Sequence, residues 1–198
     1  MQIHIIIAEG FASAITPELS AFSKACVQAT HNLVTSADVV LVHNEQARNG
    51  DTTLGDAMYA FAISSGLVVE KLKTPSHDAL TDARATFAWF ANKHGEHQLV
   101  LVCYNPEVEA HQLWLYKRVL QYEFPELAQC IRVTSTAVQN VPAVSWQEKF
   151  LYQCTATIWR WCICRPIFKI ATWGYSLSTR NRHKHFVRTF TPMGKRQA

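Results

Sequence analysis

Short apolar segments alternate with segments of helical periodicity along the first two-thirds of the chain, and no other feature restricts its fold more. The apolar segments are rich in Val, Ile and Leu, as buried strands are. They cover residues 3–8, 38–43, 67–73, 98–103 and 129–135. Strands that are apolar on both faces and separated by helices favour a parallel sheet with right-handed crossovers. The sequence therefore predicts an α/β fold, with a Rossmann-like, doubly wound, mostly parallel five-stranded sheet, a C-terminal helix and a basic tail.

Helix-start signals occur between these segments. Thr16 precedes Pro17, which predicts the N-cap and the first position of a helix. Ser76 is placed to cap a helix whose apolar positions follow the helical period, and Pro106 opens another. A further helix is predicted over 52–65. These signals place one helix between each pair of successive strands.

The charged residues divide the chain into an acidic body and a basic end. Residues 1–150 hold all 15 Asp and Glu and 10 Lys and Arg, a net charge of −5, whereas 151–198 hold nine Lys and Arg and no acid. A basic segment on an acidic body predicts an anionic partner. We expect a Rossmann-like α/β domain at 1–145, an aromatic C-terminal helix at 146–175 and a flexible basic tail at 176–198.

Polar residues follow the predicted strands, where parallel α/β sheets bind their ligands. We expect the carboxyl ends of the strands to bring together eight candidate ligand-binding residues: Glu9, Gly10, His43, Glu45, Ser76, His77, Asp82 and Asn105. Acids and histidines suit binding or general acid–base chemistry, while loops at this edge are polar in α/β proteins generally. No catalytic residue, cofactor or metal site is predicted, and the expected ligand is a small polar or nucleotide-like molecule.

The usual phosphate-binding motifs are missing from the sequence. Gly10 stands alone after the first strand, without the G-x-G-x-x-G pattern of dinucleotide sites, and no P-loop motif is present. ATP hydrolysis at a P-loop is thereby excluded. Glu45, at the end of the second strand, is the residue that would accept a ribose hydroxyl in an adenosine-binding fold.

Residues 77–82 match the H-x-A-x-x-D signature of the DnaQ-like exonucleases. In that class His77 would act as the base and Asp82 as a ligand in a two-metal site. The first strand of those enzymes carries Asp-x-Glu, whereas here an isoleucine stands two residues before Glu9. The other interpretation of the segment is helix capping, with Ser76 as the N-cap. A metal-dependent exonuclease is therefore an alternative function.

The order of segments over about residues 3–135 resembles the YdcF-like family, the SanA and ElyC relatives, which is a bacterial domain of largely unknown function. The positions that carry the resemblance are Ala8-Glu9-Gly10, His43-Asn44-Glu45, Asp56-Ala57, Ser76, Ala79, Asp82, Ala83 and Val102-Cys103-Tyr104. Ser76 and Asp82 are the motif positions carried over, because most of the family's other polar signature residues are replaced here. The resemblance implies a Rossmann-like fold with a pocket at the strand ends and a role near the bacterial envelope.

Basic and aromatic residues are interleaved after residue 150. The cations expected to meet a membrane are Arg160, Arg165, Lys169, Arg180, Arg182 and Lys184. Such a mixture is typical of helices that lie in the headgroup layer of an anionic membrane. Nucleic acid is the less favoured partner, because the acidic body would repel phosphates. A non-catalytic membrane-surface adaptor is a further alternative function, and the first part of the segment also suits a final helix packed on the sheet.

The sequence shows neither an export signal nor a membrane span. Residues 1–8 lack the basic and long apolar regions of a signal peptide, and the apolar stretch 154–172 is interrupted by charged residues and a proline. The six cysteines fit no common zinc spacing, so reduced thiols are expected. We therefore expect a cytoplasmic protein, peripheral at the inner membrane face if its basic end binds lipid.

Overall fold

The computed structural model describes residues 1–7, 10–12, 17–45, 48–49, 51–76, 78–138, 141 and 145–189, with the backbone alone at 44–45, 48–49, 73–76 and 179–189. The strands in these ranges are β1 (Gln2–Ile6), β2 (Val39–Glu45), β3 (Arg48–Asn49), β4 (Thr52–Thr53), β5 (Val69–Ser76), β6 (His97–Cys103) and β7 (Ile131–Ala137). The helices are α1 (Ala21–Leu33), α2 (Leu54–Ser64), α3 (Ala79–Phe90), α4 (Pro106–Glu123), α5 (Trp146–Trp161) and α6 (Arg165–Thr189).

Five strands form one sheet in the order β5-β2-β1-β6-β7, and every neighbouring pair is parallel. In the central strand, Ile5 pairs with Leu41 on one side and Leu101 on the other, and all three residues are fully buried. β3 and β4 form a separate two-stranded ribbon before α2. This arrangement confirms the predicted Rossmann-like α/β fold.

Right-handed crossovers place helices on both faces of the sheet. The chain moves outward from β1 to β5 through α1 and α2, and then returns past β1 to β6 and β7 through α3 and α4. α1 and α2 accordingly pack on each other on one face, and α3 and α4 on the other. The reversal creates a switch point between β1 and β6 at the edge where the strands end, which we call the carboxyl edge. Ligands bind there in this fold class.

α1 begins later than its sequence signal predicted. Its N-cap is Ser20, whose Oγ accepts a hydrogen bond from Ser23 N, rather than Thr16, which lies outside the described residues. The reason is tertiary. Leu19 is buried and pairs with Phe11 in an isolated β-bridge, so the residue directly before the cap is extended and not helical.

Ser76 is the last residue of β5 and not a helix cap. The N-cap of α3 is Asp78, whose Oδ1 accepts a hydrogen bond of 2.9 Å from Thr81 N. A carboxylate suits this position because it both accepts the free N–H and interacts favourably with the helix dipole. Pairing of Ser76 with Glu45 extends β5 beyond the predicted range of 67–73.

The C-terminal segment forms two helices where one was expected. α5 ends at Trp161, and Pro166 lies in the first turn of α6, where a proline loses no backbone hydrogen bond. α6 continues to Thr189, so the expected flexible tail at 176–198 is helical as far as it is described. Among the described helices, none is long and apolar enough to cross a bilayer.

α5 is held on α4 by hydrogen bonds at its C-terminal end. Arg118 of α4 donates to the carbonyl oxygens of Trp159 at 3.0 Å and Arg160 at 2.7 Å. The Tyr122 hydroxyl donates to the carbonyl oxygen of Cys162 at 3.0 Å. These donors satisfy carbonyls that the end of a helix leaves free, so α4 fixes the position at which α5 ends.

α6 runs antiparallel to α4. The ring centroid of Phe168 lies 5.1 Å from that of Tyr122, near the C-terminal end of α4, and the Tyr175 centroid lies 6.1 Å from that of His111, near the N-terminal end. α4 begins at the carboxyl edge because it follows β6. The part of α6 after Tyr175 therefore extends on the carboxyl-edge side of the molecule.

Candidate ligand site at the carboxyl edge

Asn105 lies at the switch point, two residues after β6, and is only 5% exposed. Its Oδ1 accepts a hydrogen bond of 2.7 Å from Val108 N and so caps α4. Its Nδ2 has no hydrogen-bond partner among the described residues. A buried donor without a partner costs about 1–3 kcal/mol. The amide is therefore available to donate to an acceptor on a ligand.

Gly10 lies across the switch point, in the turn after β1. Its φ angle is +144°, which side chains of L residues rarely permit, and a Cβ built there would meet no heavy atom within 4 Å. Gly10 N donates to Ser23 Oγ at 3.3 Å, and Gly10 O accepts from Ser20 N at 2.9 Å. The backbone conformation thus explains the glycine, and none of the described residues fills the space beside it.

Tyr104, directly before Asn105, connects the switch point to the C-terminal helices. Its ring centroid lies 5.0 Å from that of Phe22 on α1, and its hydroxyl lies 3.2 Å from that of Tyr152 on α5. Sequence reasoning missed this contact, because the two tyrosines are 48 residues apart and neither belongs to a recognisable motif. α5 therefore contributes to the surroundings of the candidate site.

His43, near the end of β2, is buried against α3. Its Nε2 lies 3.0 Å from Thr86 Oγ1, and its Nδ1 lies 4.0 Å from Asp82 Oδ2. The Thr86 hydroxyl donates its proton to the carbonyl oxygen of Asp82 at 2.9 Å, so it accepts from the ring, and we assign a ring proton to Nε2. Nδ1 of the ring is therefore the nitrogen that faces the Asp82 carboxylate.

Sequence reasoning found His43 and Asp82 but missed Thr86, which connects them. Asp82 and Thr86 are four residues apart on α3 and therefore share one face of the helix. Both residues are buried, although an exposed helix face would tolerate them equally well. The spacing of four residues between Asp82 and Thr86 was the signal that the sequence offered. It shows that the two residues share a helix face but not what that face contacts.

Glu45 and Ser76 are register partners at the ends of β2 and β5, so their backbones are adjacent. Their side chains are outside the described part of the structure, as are Glu9 and His77 as whole residues. The predicted convergence of Glu9, Glu45, Ser76 and Asp82 on one crevice therefore stays a prediction, apart from the adjacency of Glu45 and Ser76.

The candidate residues fall into two groups along the carboxyl edge. Gly10 and Asn105 flank the switch point between β1 and β6, and His43 and Asp82 lie at β2 and α3. β1 separates β2 from β6, and neighbouring strands are about 4.8 Å apart. The strands that carry His43 and Asn105 are consequently about 10 Å apart.

All five described helices that begin at the carboxyl edge are capped by their own side chains. The caps are Ser20 on Ser23 N, Thr53 on Asp56 N, Asp78 on Thr81 N, Asn105 on Val108 N and Ser145 on Glu148 N. Four of these helices also carry acids in the first turn, namely Asp56, Asp82, Glu107, Glu109 and Glu148. These groups occupy the positive helix ends to which phosphates bind, and the acids add negative charge at these helix starts.

Asp56 forms an ion pair with Lys71. A hydrogen bond from the Lys71 ammonium, and then one from the Thr53 hydroxyl, hold the pKa of Asp56 below its usual value. Glu109 instead accepts a neutral hydrogen bond of 2.8 Å from Ser135 Oγ. The charge of Glu109, near the switch point, is therefore not offset by that contact.

Three cavities bounded by described residues lie away from the carboxyl edge. One of about 450 Å³ lies at the amino ends of the strands, beside His97 and Arg132. A second of about 620 Å³ follows the outer side of β5 between Tyr59 and Trp89. A third of about 280 Å³ lies between α5 and α6. The carboxyl edge is thus identified by its buried polar groups and not by these cavities.

The described residues contain no group of three or more His, Cys, Asp or Glu placed to hold a metal ion. The six cysteines are free thiols, and burial raises the pKa of Cys103 well above its usual value. His77, which the exonuclease alternative requires, lies outside the described residues. The exonuclease stays a prediction from the sequence.

Comparison of the chain with protein-family models, with curated proteins and with solved structures found no match. The resemblance to the YdcF-like family stays a prediction. Function is accordingly inferred from the side chains at the carboxyl edge, above all Asn105 at the switch point and the pair formed by His43 and Asp82.

Proposed function

We propose that the protein binds a small polar ligand, uncharged or cationic, at the carboxyl edge of its sheet. The observation that carries the proposal is the buried amide of Asn105, whose Nδ2 has no partner among the described residues. A carbonyl or hydroxyl oxygen of the ligand that accepts from this amide would remove the cost of an unsatisfied donor. The proposal concerns binding, and no residue is given a catalytic role.

His43 and Asp82 provide a second point of contact. Nδ1 of His43 lies 4.0 Å from the Asp82 carboxylate, whose negative charge attracts a cationic group. The strands that carry the two points of contact are about 10 Å apart, a spacing that a ligand of small-metabolite size can span.

The helix caps disfavour a phosphate and therefore a nucleotide. Helix N-termini and glycine-rich turns bind phosphates in this fold class. At the switch point, one N–H group of α1 (Ser23 N) donates instead to Ser20, and one of α4 (Val108 N) donates to Asn105. Glu107 and Glu109 then add negative charge at the start of α4. A phosphate placed there would be repelled, whereas a neutral or cationic group would not.

Differential scanning fluorimetry of the full chain tests the proposal. The compounds are neutral sugars, polyols, amino acids and amino sugars, with ATP, NAD and inorganic phosphate as the anionic set. We expect compounds of the neutral or cationic set to raise the Tm. Asn105→Asp keeps the capping oxygen but replaces the amide donor by an acceptor, so it should abolish these shifts while the Tm without ligand changes little.

Gln98→Glu is the matched control, because it makes the same amide-to-acid change at the amino end of β6. This variant should keep every ligand-induced shift. A Tm shift from an anion that persists in Asn105→Asp arises elsewhere, for example at the basic C-terminal segment. The proposed site is wrong if the Tm shifts caused by neutral or cationic compounds survive Asn105→Asp. It is also wrong if no neutral or cationic compound stabilises the protein. The proposed ligand class is wrong if Asn105→Asp removes a shift caused by an anion.

A further inference from the structure

α6 has two apolar stripes, of which the inner one is covered by the body of the protein. The inner stripe consists of Phe168, Ala171 and Tyr175. Phe168 is 2% exposed, and its ring centroid lies 5.1 Å from that of Tyr122 and 6.2 Å from that of Trp159. These contacts account for the docking of α6 on α4 and α5.

The second stripe faces away from the body. We call it the outer stripe, and it consists of Ile167, Ile170, Trp173 and Leu177, at spacings of three, three and four residues. These side chains are 45%, 69%, 68% and 44% exposed. Trp161 and Ile163, at the turn between α5 and α6, are exposed as well. A helix docked on a globular body normally presents polar residues outward, so this apolar surface needs a partner.

Exposed cations flank the outer stripe. Arg165 and Lys169 are exposed, and no ion pair among the described residues includes them. Arg160 of α5 is exposed too, but its guanidinium lies over the Trp114 ring of α4, 5.8 Å from the centroid. The sequence contains no Asp or Glu after Glu148, and α6 continues through Arg180, Arg182 and Lys184 to Thr189. Apolar residues and uncompensated positive charge therefore occur on the same helix.

We propose that the outer stripe and its flanking cations bind the surface of an anionic membrane, with α6 lying in the headgroup plane. Ile167, Ile170 and Leu177 would enter the acyl boundary. Trp161 and Trp173 would lie at headgroup depth, where indole rings are favoured. The cations would meet lipid phosphates. This inference rests on α5 and α6 and is independent of the ligand proposed for the carboxyl edge.

Charge complementarity selects a lipid surface over the other occupants. A second copy related by a two-fold axis would place α6 against α6, and so bring two sets of cations together without acids between them. A nucleic acid would match the charge and could stack on Trp173. It would leave the aliphatic side chains of Ile167, Ile170 and Leu177 without an apolar partner. An anionic bilayer matches both the charge and the aliphatic side chains.

Sedimentation of the full-length protein with lipid vesicles tests the inference. The vesicles contain phosphatidylcholine alone, or phosphatidylcholine with phosphatidylglycerol. We expect the protein to bind the vesicles that contain phosphatidylglycerol and not those of phosphatidylcholine alone. High salt should release it, because salt screens the attraction between the cations and the lipid phosphates. Ile170→Ser/Trp173→Ser should abolish binding. Arg165→Gln/Lys169→Gln should weaken binding roughly thirtyfold, since each cation near an anionic surface contributes about a factor of five.

Matched controls change similar residues elsewhere on the surface. Val68→Ser replaces an apolar side chain by a polar one at a residue that is 88% exposed, in the loop before β5. Lys93→Gln/Arg132→Gln removes two exposed cations. Both controls should bind as the wild type does. If circular dichroism shows that Ile170→Ser/Trp173→Ser unfolds, Ile167→Ser and Leu177→Ser are each tested in its place.

Three results would overturn the inference: no binding to anionic vesicles, equal binding to both kinds of vesicle, or binding that survives the outer-stripe substitutions. Sedimentation velocity and a labelled single-stranded oligonucleotide then identify the occupant. A dimer that Ile170→Ser/Trp173→Ser disrupts would assign the surface to a second copy. Oligonucleotide binding that Arg165→Gln/Lys169→Gln removes, in the absence of vesicle binding, would assign it to nucleic acid.

Discussion

The imidazole of His43 and the carboxylate of Asp82 lie 4.0 Å apart across the contact between β2 and α3. Both residues are more than nine-tenths buried, and Thr86 holds the ring through its hydroxyl at 3.0 Å. Hydrogen bonds between buried groups depend on each other. A group that loses its partner is too buried to form a hydrogen bond with water instead. The three side chains should therefore behave as one unit in stability measurements.

Thr86→Val removes the hydroxyl while keeping the shape of the side chain. The Nε2–H of His43 would then be buried without a partner, so the free energy of unfolding should fall by about 1–3 kcal/mol. Urea denaturation measures the difference. His43→Leu/Thr86→Val should recover part of the loss, because both polar partners are then absent.

Thr30→Val is the control for this prediction. Thr30 is also fully buried and donates to a carbonyl one helical turn before it, that of Cys26, but it contacts no histidine in the described structure. A loss at Thr86 no larger than the loss at Thr30 would show that the contact with His43 does not stabilise the fold.

Asn105 should be replaceable without loss of stability if its amide serves a ligand. Asn105→Ser keeps a capping oxygen and removes the unpartnered donor, so the free energy of unfolding should stay within about 0.5 kcal/mol of wild type or rise. Asn105→Ala removes the cap and should cost about 1 kcal/mol. Equal losses in the two variants, measured by urea denaturation, would mean that the cap contributes nothing.

His4 should make stability depend on pH. Burial lowers the pKa of His4 below its usual value of 6.5, and the Asp38 carboxylate, 3.8 Å away, offsets this in part. The unfolded chain therefore binds more protons near and below pH 6.5, so this contribution to stability is complete above pH 6.5 and is lost as the pH falls toward the folded pKa.

Urea denaturation between about pH 7.5 and about pH 5.5 measures this dependence. His4→Leu should flatten the decline over that range, because the position no longer titrates. His94→Gln, at an exposed position, should decline as the wild type does. A decline of the same steepness in His4→Leu would assign the pH dependence to other groups.

Arg118 should hold the C-terminal end of α5 in place. Arg118→Met keeps much of the apolar stem but leaves the carbonyls of Trp159 and Arg160 without these donors. Hydrogen exchange should become faster in the last turn of α5 and at the start of α6. Arg84→Met, which breaks the ion pair with Glu123 between α3 and α4, should leave exchange at that end of α5 unchanged.

Sequence alone determined the layers of the fold. The apolar runs at 3–8, 38–43 and 98–103 predicted β1, β2 and β6 because a strand buried on both faces has few polar positions. Pro106 marked the start of α4, since the restriction that proline places on the backbone is local. The sequence also showed the division of charge at residue 150, because this depends only on the numbers of acidic and basic residues on each side.

Tertiary structure alone decided which side chains meet. Leu19 pairs with Phe11 and delays α1, and Thr86 meets His43 from 43 residues away. The position of α4 likewise decides which apolar residues of α6 are covered by the body and which face away from it. Local propensity and periodicity act over one or two turns of chain, whereas these contacts form between elements distant in sequence and are set by how the whole sheet and its helices pack.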